Sequence, residues 1–137
     1  MSIAPVVRHL IACKKEPTMN GPDPSVLDIL YAVRPRAGLD YLVWQRPFFL
    51  FAMVTDGQGI CEFQAQMRLV ELDENLVEVE TVVESSKAET ADLGNDPLRP
   101  RFISIQMPPV RLPCAGLYRV YLIVDGEDIG ADTVHAR

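Results

Sequence analysis

Long stretches of the chain alternate apolar and polar residues with a period of two. This marks strands that press one face on a core and turn the other to water. In CEFQAQMRL, Cys61, Phe63, Ala65, Met67 and Leu69 share one face, and Glu62, Gln64, Gln66 and Arg68 share the other. VEVETVV repeats the pattern, with Val77, Val79, Thr81 and Val83 predicted inward and Glu78, Glu80 and Val82 outward. FISIQM places Ile103, Ile105 and Met107 inward. RPFFLFAMV is apolar on both faces, so it reads as a central strand covered on both sides.

Turn residues punctuate these runs. FFLFAMV and ICEF are joined by TDGQG, a Gly-containing connection that predicts a hairpin. Asp125-Gly126 sits between YLIV and EDIG, where a two-residue type I′ turn requires positive φ at both central positions. The paired strands are then Tyr118–Val124 and Glu127–His135. Pro108, Pro109 and Pro113 make MPPVRLPCAG a connecting loop, because proline cannot donate to a ladder. RHLIAC reads as a first strand and EPTMNGPDP as a loop. In SVLDILYAV, Ser25 and Asp28 fit a helix capping box. The window before Pro35 is short, however, and a strand is favoured over a helix for residues 25–33. SSKAETADLGNDPLRP is a long polar loop with room for one helical turn around KAETAD. The predicted fold is all-β: a two-sheet antiparallel sandwich of about 7–9 strands, immunoglobulin-like or jelly-roll-like. One domain covers residues 1–137, with a short helix confined to residues 85–100.

Composition changes this picture little. At 137 residues, with 48% hydrophobic and 23% charged residues, the chain is long enough to bury a core without metal or disulfide staples. The net charge of −6 argues against nucleic acid and against an anionic membrane, both of which attract clustered Lys and Arg. The densest basic spots are Lys14-Lys15 and RPRA, with Arg34 and Arg36. Cys13, Cys61 and Cys114 are odd in number and widely spaced, which does not describe a disulfide framework. LIAC ending at Cys13 imitates a lipoprotein cleavage box, but Arg8 and His9 interrupt the apolar run such a signal needs. No window is long and apolar enough for a spanning helix, and a cytoplasmic location is expected.

The order SVLDILYAV, then WQRPFFLFAMVTDGQGICEFQAQMRLVE, then FISIQMPPVRLPCAGLYRVYLIVDGEDIG resembles a group of small bacterial β-sandwich proteins without an assigned activity. The closing hairpin, with Gly116, Tyr118 and Asp125-Gly126, carries the likeness, which extends from about Val26 to Val134. The resemblance implies an immunoglobulin-like sandwich. It brings no functional residue with it.

Candidate chemistry is sparse. Asp125, Glu127, Asp128 and Asp132 crowd the last hairpin, but an EF-hand loop counted from Asp125 puts Ile129 at position five and Ala136 at position twelve. A solvated turn flanked by acids is the preferred reading, with a loop-type Ca²⁺ site as the alternative. His9 and Cys13 share a strand face, and with Cys61, Cys114 or His135 they supply the ligand types of a Zn²⁺ site or a Cys–His pair. No Cys-x-x-Cys or His-x-x-x-His spacing supports either, and core thiols are preferred. Glu78 and Glu80 alternate with valines, as on the outer face of any strand. No catalytic residue, metal ligand or cofactor is therefore assigned, and the chain reads as non-enzymatic. The remaining lead is apolar: Phe49, Phe51 and Met53 on one strand, and Leu117, Tyr121 and Ile123 on another, lie opposite their core faces. If the two strands are neighbours, they form an interaction face for a protein partner or for a second copy in a homodimer, with no nucleic acid and no membrane. The alternative is a small-ligand or carbohydrate-binding sandwich using Trp44, Tyr41 or Tyr31 as stacking surfaces.

Overall fold

The structure, a computed structural model, describes the backbone of residues 2–34 and 43–137, and the side chains of 2–34 and 46–137. In chain order the strands are β1 Val6–Cys13, β2 Thr18–Asn20, β3 Asp23–Ser25, β4 Ala32–Val33, β5 Val43–Gln45, β6 Phe48–Thr55 and β7 Ile60–Leu72. They continue with β8 Glu78–Ser85, β9 Glu89–Asp92, β10 Arg101–Met107, β11 Val110–Leu112, β12 Gly116–Val124 and β13 Glu127–Ala136. A three-stranded sheet, β1-β6-β10, faces a larger sheet ordered β4-β13-β12-β7-β8, with β9 also pairing with β7. All these pairings are antiparallel except β4 with β13. The architecture is the predicted all-β sandwich, with more strands than expected because several have only two to four residues.

The core fills the space between the sheets as the alternation requires. Phe48, Leu50, Ala52 and Val54 of β6 meet Cys61, Phe63, Ala65, Met67 and Leu69 of β7 and Tyr118, Val120, Leu122 and Val124 of β12. Tyr118 is fully buried, and its hydroxyl donates to the Cys114 carbonyl at 2.7 Å, which removes the cost of a bare buried hydroxyl. Along one side β1 packs on β13. The Ala12 N–H donates to Asp132 Oδ2 at 2.7 Å, and Gly130 sits where a Cβ would crowd Leu10 and Val7.

Several local expectations are corrected. TDGQG does not close a hairpin: β6 pairs with β1 and β10, whereas β7 pairs with β12, β8 and β9, so this loop carries the chain from one sheet to the other. Its backbone bonds to distant loops, with the Asp56 N–H donating to Pro97 and the Gly59 N–H to Gly94. Around KAETAD the chain extends into β9 instead of forming a helical turn, because Ile60 to Phe63 of β7 still need a ladder partner. EPTMNGPDP is not a plain loop but the β2–β3 hairpin, turned at Gly21 with φ +63°. Residues 25–33 hold no helix. Nor are they one strand: Asp28 adopts φ 55°, and only Ser25, at the end of β3, and Ala32–Val33 of β4 are extended in ladders. Val79 and Thr81, predicted inward, are exposed, because β8 is an edge strand that overhangs the narrower sheet.

Candidate functional site

The outer face of the larger sheet carries the densest polar arrangement. Arg68 and Arg119 face each other across the β7–β12 register. The Arg68 guanidinium donates to both Asp128 oxygens at 2.8 Å, to Gln66 at 2.7 Å and to Glu80 at 3.2 Å, and it lies 4.0 Å above the Tyr121 ring. Arg119 donates to Glu78 and to Glu80, each at 3.0 Å, and the Tyr121 hydroxyl donates to Glu80. The Tyr121 hydroxyl, with Arg119 and Arg68, holds the Glu80 carboxyl below the ordinary carboxylate range, and Arg119 does the same for Glu78. Two guanidiniums thus meet three carboxylates, Glu78, Glu80 and Asp128. Both guanidiniums are paired and the carboxylates outnumber them by one, so the cluster braces the sheet face and leaves no free cation for an anionic ligand.

The two apolar triplets singled out in the sequence are not brought together. Leu117, Tyr121 and Ile123 lie on this braced face, with Tyr121 beneath Arg68. Phe49, Phe51 and Met53 lie on the far side of the molecule, on the outer face of the β1-β6-β10 sheet. There Phe51 is only 5% exposed and stacks on Phe102, with ring centroids 6.0 Å apart. A continuous patch built from both strands does not exist.

Three of the four acids of the last hairpin are tied to different partners. Asp125 accepts the Glu62 N–H at 2.8 Å, Asp128 grips Arg68, Asp132 accepts the Ala12 N–H, and Glu127 lies exposed. The thiols are equally scattered: Cys13 and Cys61 are buried, and Cys114 is half-buried beside Tyr118. Burial pushes the Cys13 thiol up to about 11 and raises Cys61, opposite to what a nucleophile needs. His9 and His135 are exposed on strands of different sheets. Among the stacking candidates Tyr31 is exposed, while Tyr41, the Trp44 side chain and Arg36 lie outside the described residues.

Strand pairing does assemble one feature that sequence reading missed. Cys13 pairs with Phe49, which places the end of β1 beside the start of β6. Lys14, Lys15 and Arg46, together with Asp28 and Pro47, line one shallow hollow there. Lys15 reaches Asp28 at 3.2 Å, and among the described residues neither Lys14 nor Arg46 has a carboxylate within 4.0 Å. Arg137 arrives at the same end, its N–H donating to Val33 next to Arg34. The opposite end gathers the turns holding Asp56, Asp92, Asp96 and Asp125 together with Arg8 and Arg101. The β7–β8 turn with Asp73 and Glu74 lies at the Arg137 end, so neither end carries one sign of charge. Arg46 gave no local signal, since only the 13↔49 pairing brings it to Lys14-Lys15.

No protein-family model matches the chain, and no curated protein matches it. Its fold is similar to part of Pseudomonas fluorescens alkylpurine DNA glycosylase AlkC, in a structure of that enzyme bound to DNA containing an abasic site analog. The match has a TM-score of 0.51 and 11% sequence identity, over 97% of this chain and 30% of the glycosylase chain. The chain thus spans less than a third of that protein, and at this identity the likeness concerns the fold. The finding overturns two expectations. One is the exclusion of nucleic acid as a partner. The other is the reading as a protein-interaction or self-associating module, or alternatively a small-ligand or carbohydrate binder. Net charge alone does not decide contact with nucleic acid, for a physical reason. At physiological salt, charges more than about 8 Å apart are largely screened, and strands of eight to ten residues put the two ends of this sandwich roughly 25–30 Å apart.

Proposed function

We propose that this chain is a DNA-contacting β-sandwich module, not itself catalytic, whose Lys14–Arg46 hollow lies against the phosphate backbone. The observation that carries the reading is the convergence of Lys14, Lys15 and Arg46 on one exposed hollow in an otherwise acidic molecule. Lysine and arginine on a backbone position a protein without reading sequence, and they do so by releasing condensed counterions. The similarity of fold to part of a DNA-bound glycosylase supports the same reading. A module of this kind works beside a catalytic partner or domain and is placed in the cytoplasm.

The test is fluorescence anisotropy of a labelled short duplex DNA at low salt. Wild-type protein binds, and the double reversal K14E/K15E weakens binding about tenfold or more, as does R46E. Reversing Lys87, at the β8–β9 corner, leaves the affinity within about twofold. No binding at low salt, or equal affinity in all variants, overturns the proposal.

A further inference from the structure

The β2–β3 hairpin folds back along the outer face of the β1-β6-β10 sheet, and a groove remains between it and the start of β10. Met19, Pro22, Arg99, Pro100, Arg101 and Phe102 line this groove. Four of the six are apolar or ring-bearing, and Met19 is half exposed. The two arginines supply charge. The Arg101 guanidinium is fixed in place, donating through Nε and Nη2 to the Leu93 carbonyl at 3.2 and 3.1 Å. A guanidinium has five N–H donors, so three remain for a ligand. Arg99 is exposed. Among the described residues no carboxylate lies within 4.0 Å of either arginine, and the nearby Asp96 side chain is occupied by the Leu98 N–H at 3.1 Å. The aromatic element is fixed as well, since Phe102 stacks on Phe51 with an interplanar angle of 12°.

A preformed aromatic ring beside two uncompensated guanidiniums matches a flat ligand carrying an anion. A fixed ring and a pinned guanidinium also lose little freedom when such a ligand arrives. We infer that this groove holds one unpaired nucleotide of a nucleic-acid strand, its base extending the Phe51–Phe102 stack and its phosphate facing Arg99 and Arg101. Base stacking on an aromatic ring tolerates any base, so the site selects for an unpaired nucleotide and not for a sequence. The inference rests on the DNA-contacting reading above and deepens it. Phe102 pairs with Met53 and Cys13 with Phe49, so the two positions lie four residues, about 13 Å, apart along β6. One strand leaving a duplex held at the Lys14–Arg46 hollow reaches the groove within a few nucleotides.

The experiment compares a fluorescein-labelled oligothymidine single strand with the same strand annealed to oligodeoxyadenosine. Wild type, F102L, R99Q and K14E/K15E are measured side by side by anisotropy. F102L keeps the bulk under the hairpin, and R99Q changes an exposed side chain, so one of the two stays folded even if the other does not; thermal melts monitor both. F102L and R99Q are expected to weaken single-strand binding roughly five- to tenfold, the loss of one stacked base or one phosphate contact. Their duplex affinity stays within about twofold of wild type, whereas K14E/K15E weakens both probes. Single-strand affinity unchanged in F102L and R99Q, or an equal loss on the duplex, overturns the groove and leaves the duplex reading standing. Wild-type protein that binds neither probe overturns both.

Discussion

At the scale of single residues, Ser86 shows how much one hydroxyl can hold. It is the buried polar side chain at the corner between β8 and β9. There its oxygen accepts the Ala65 N–H at 2.9 Å and its hydrogen goes to the Lys87 carbonyl at 3.0 Å. S86A leaves the Ala65 N–H buried without a partner, and urea unfolding should show a loss of about 1–3 kcal/mol. S104A, on an exposed position, should change stability by less than about 0.5 kcal/mol. The buried titrating groups give a second prediction. Burial raises Cys13 from 9.0 to about 11 and Tyr118 from 10.0 to about 12. A group whose folded pKa is raised contributes stability that is complete below its unfolded value and lost as pH climbs through the folded one. The melting temperature should therefore fall between about pH 9 and 12. Y118F should flatten the part of that fall above about pH 10, and an unchanged profile would remove Tyr118 as its source. The inward residues of β7, β10 and β12 were legible in the sequence because each strand is covered on its core side along most of its length. Val79 and Thr81 were misread because alternation reports which side a residue faces, not whether the opposite sheet extends far enough to cover it.

At the scale of elements, β8 and the β6–β7 connection carry the lessons. β8 is an open edge with Val79 47% and Val82 54% exposed, so replacing either with Thr should cost less than about 0.5 kcal/mol. V120T, on the covered strand β12, should cost about 1 kcal/mol or more, because it buries a hydroxyl. Equal costs at the two sites would contradict the overhang. The larger sheet's charged face is sensitive to acid. Glu80 is held low by Tyr121, Arg119 and Arg68, so its contribution is present above its unfolded pKa and lost as pH falls through the lowered value. Y121F removes the strongest of those contacts and should shrink the stability lost between about pH 5 and 3. TDGQG was read as a hairpin because a short Gly-containing loop between apolar runs looks the same whether the runs pair or part into separate sheets. The DG turn of the last hairpin was legible because the turn type dictates its residues. Asp125 at φ 49° and Gly126 at φ 83° fill it as that turn demands. The basic hollow was half legible: Lys14-Lys15 stood out as a pair, but Arg46 joins them only through a pairing across 36 residues.

At the scale of the whole molecule, the proposed contact between the Lys14–Arg46 hollow, at one end of the sandwich, and a duplex predicts a salt dependence. If Lys14, Lys15 and Arg46 each contact a phosphate, the logarithm of duplex affinity should fall with the logarithm of salt at a slope of about −2 to −3. K14E/K15E should flatten that slope by about two. A wild-type slope near zero would mean that phosphates are not contacted. The pairing that finishes this end has a further consequence, in time and not in space. β4 has no ladder partner until β13 lies beside it, with Ala32 opposite His135, and the Ala12 N–H waits for Asp132. Contacts that span most of a chain fold slowly. On the ribosome, a nascent chain of this protein has to carry an unclosed sandwich, with β4 and the end of β1 lacking their last partners, until β13 has emerged.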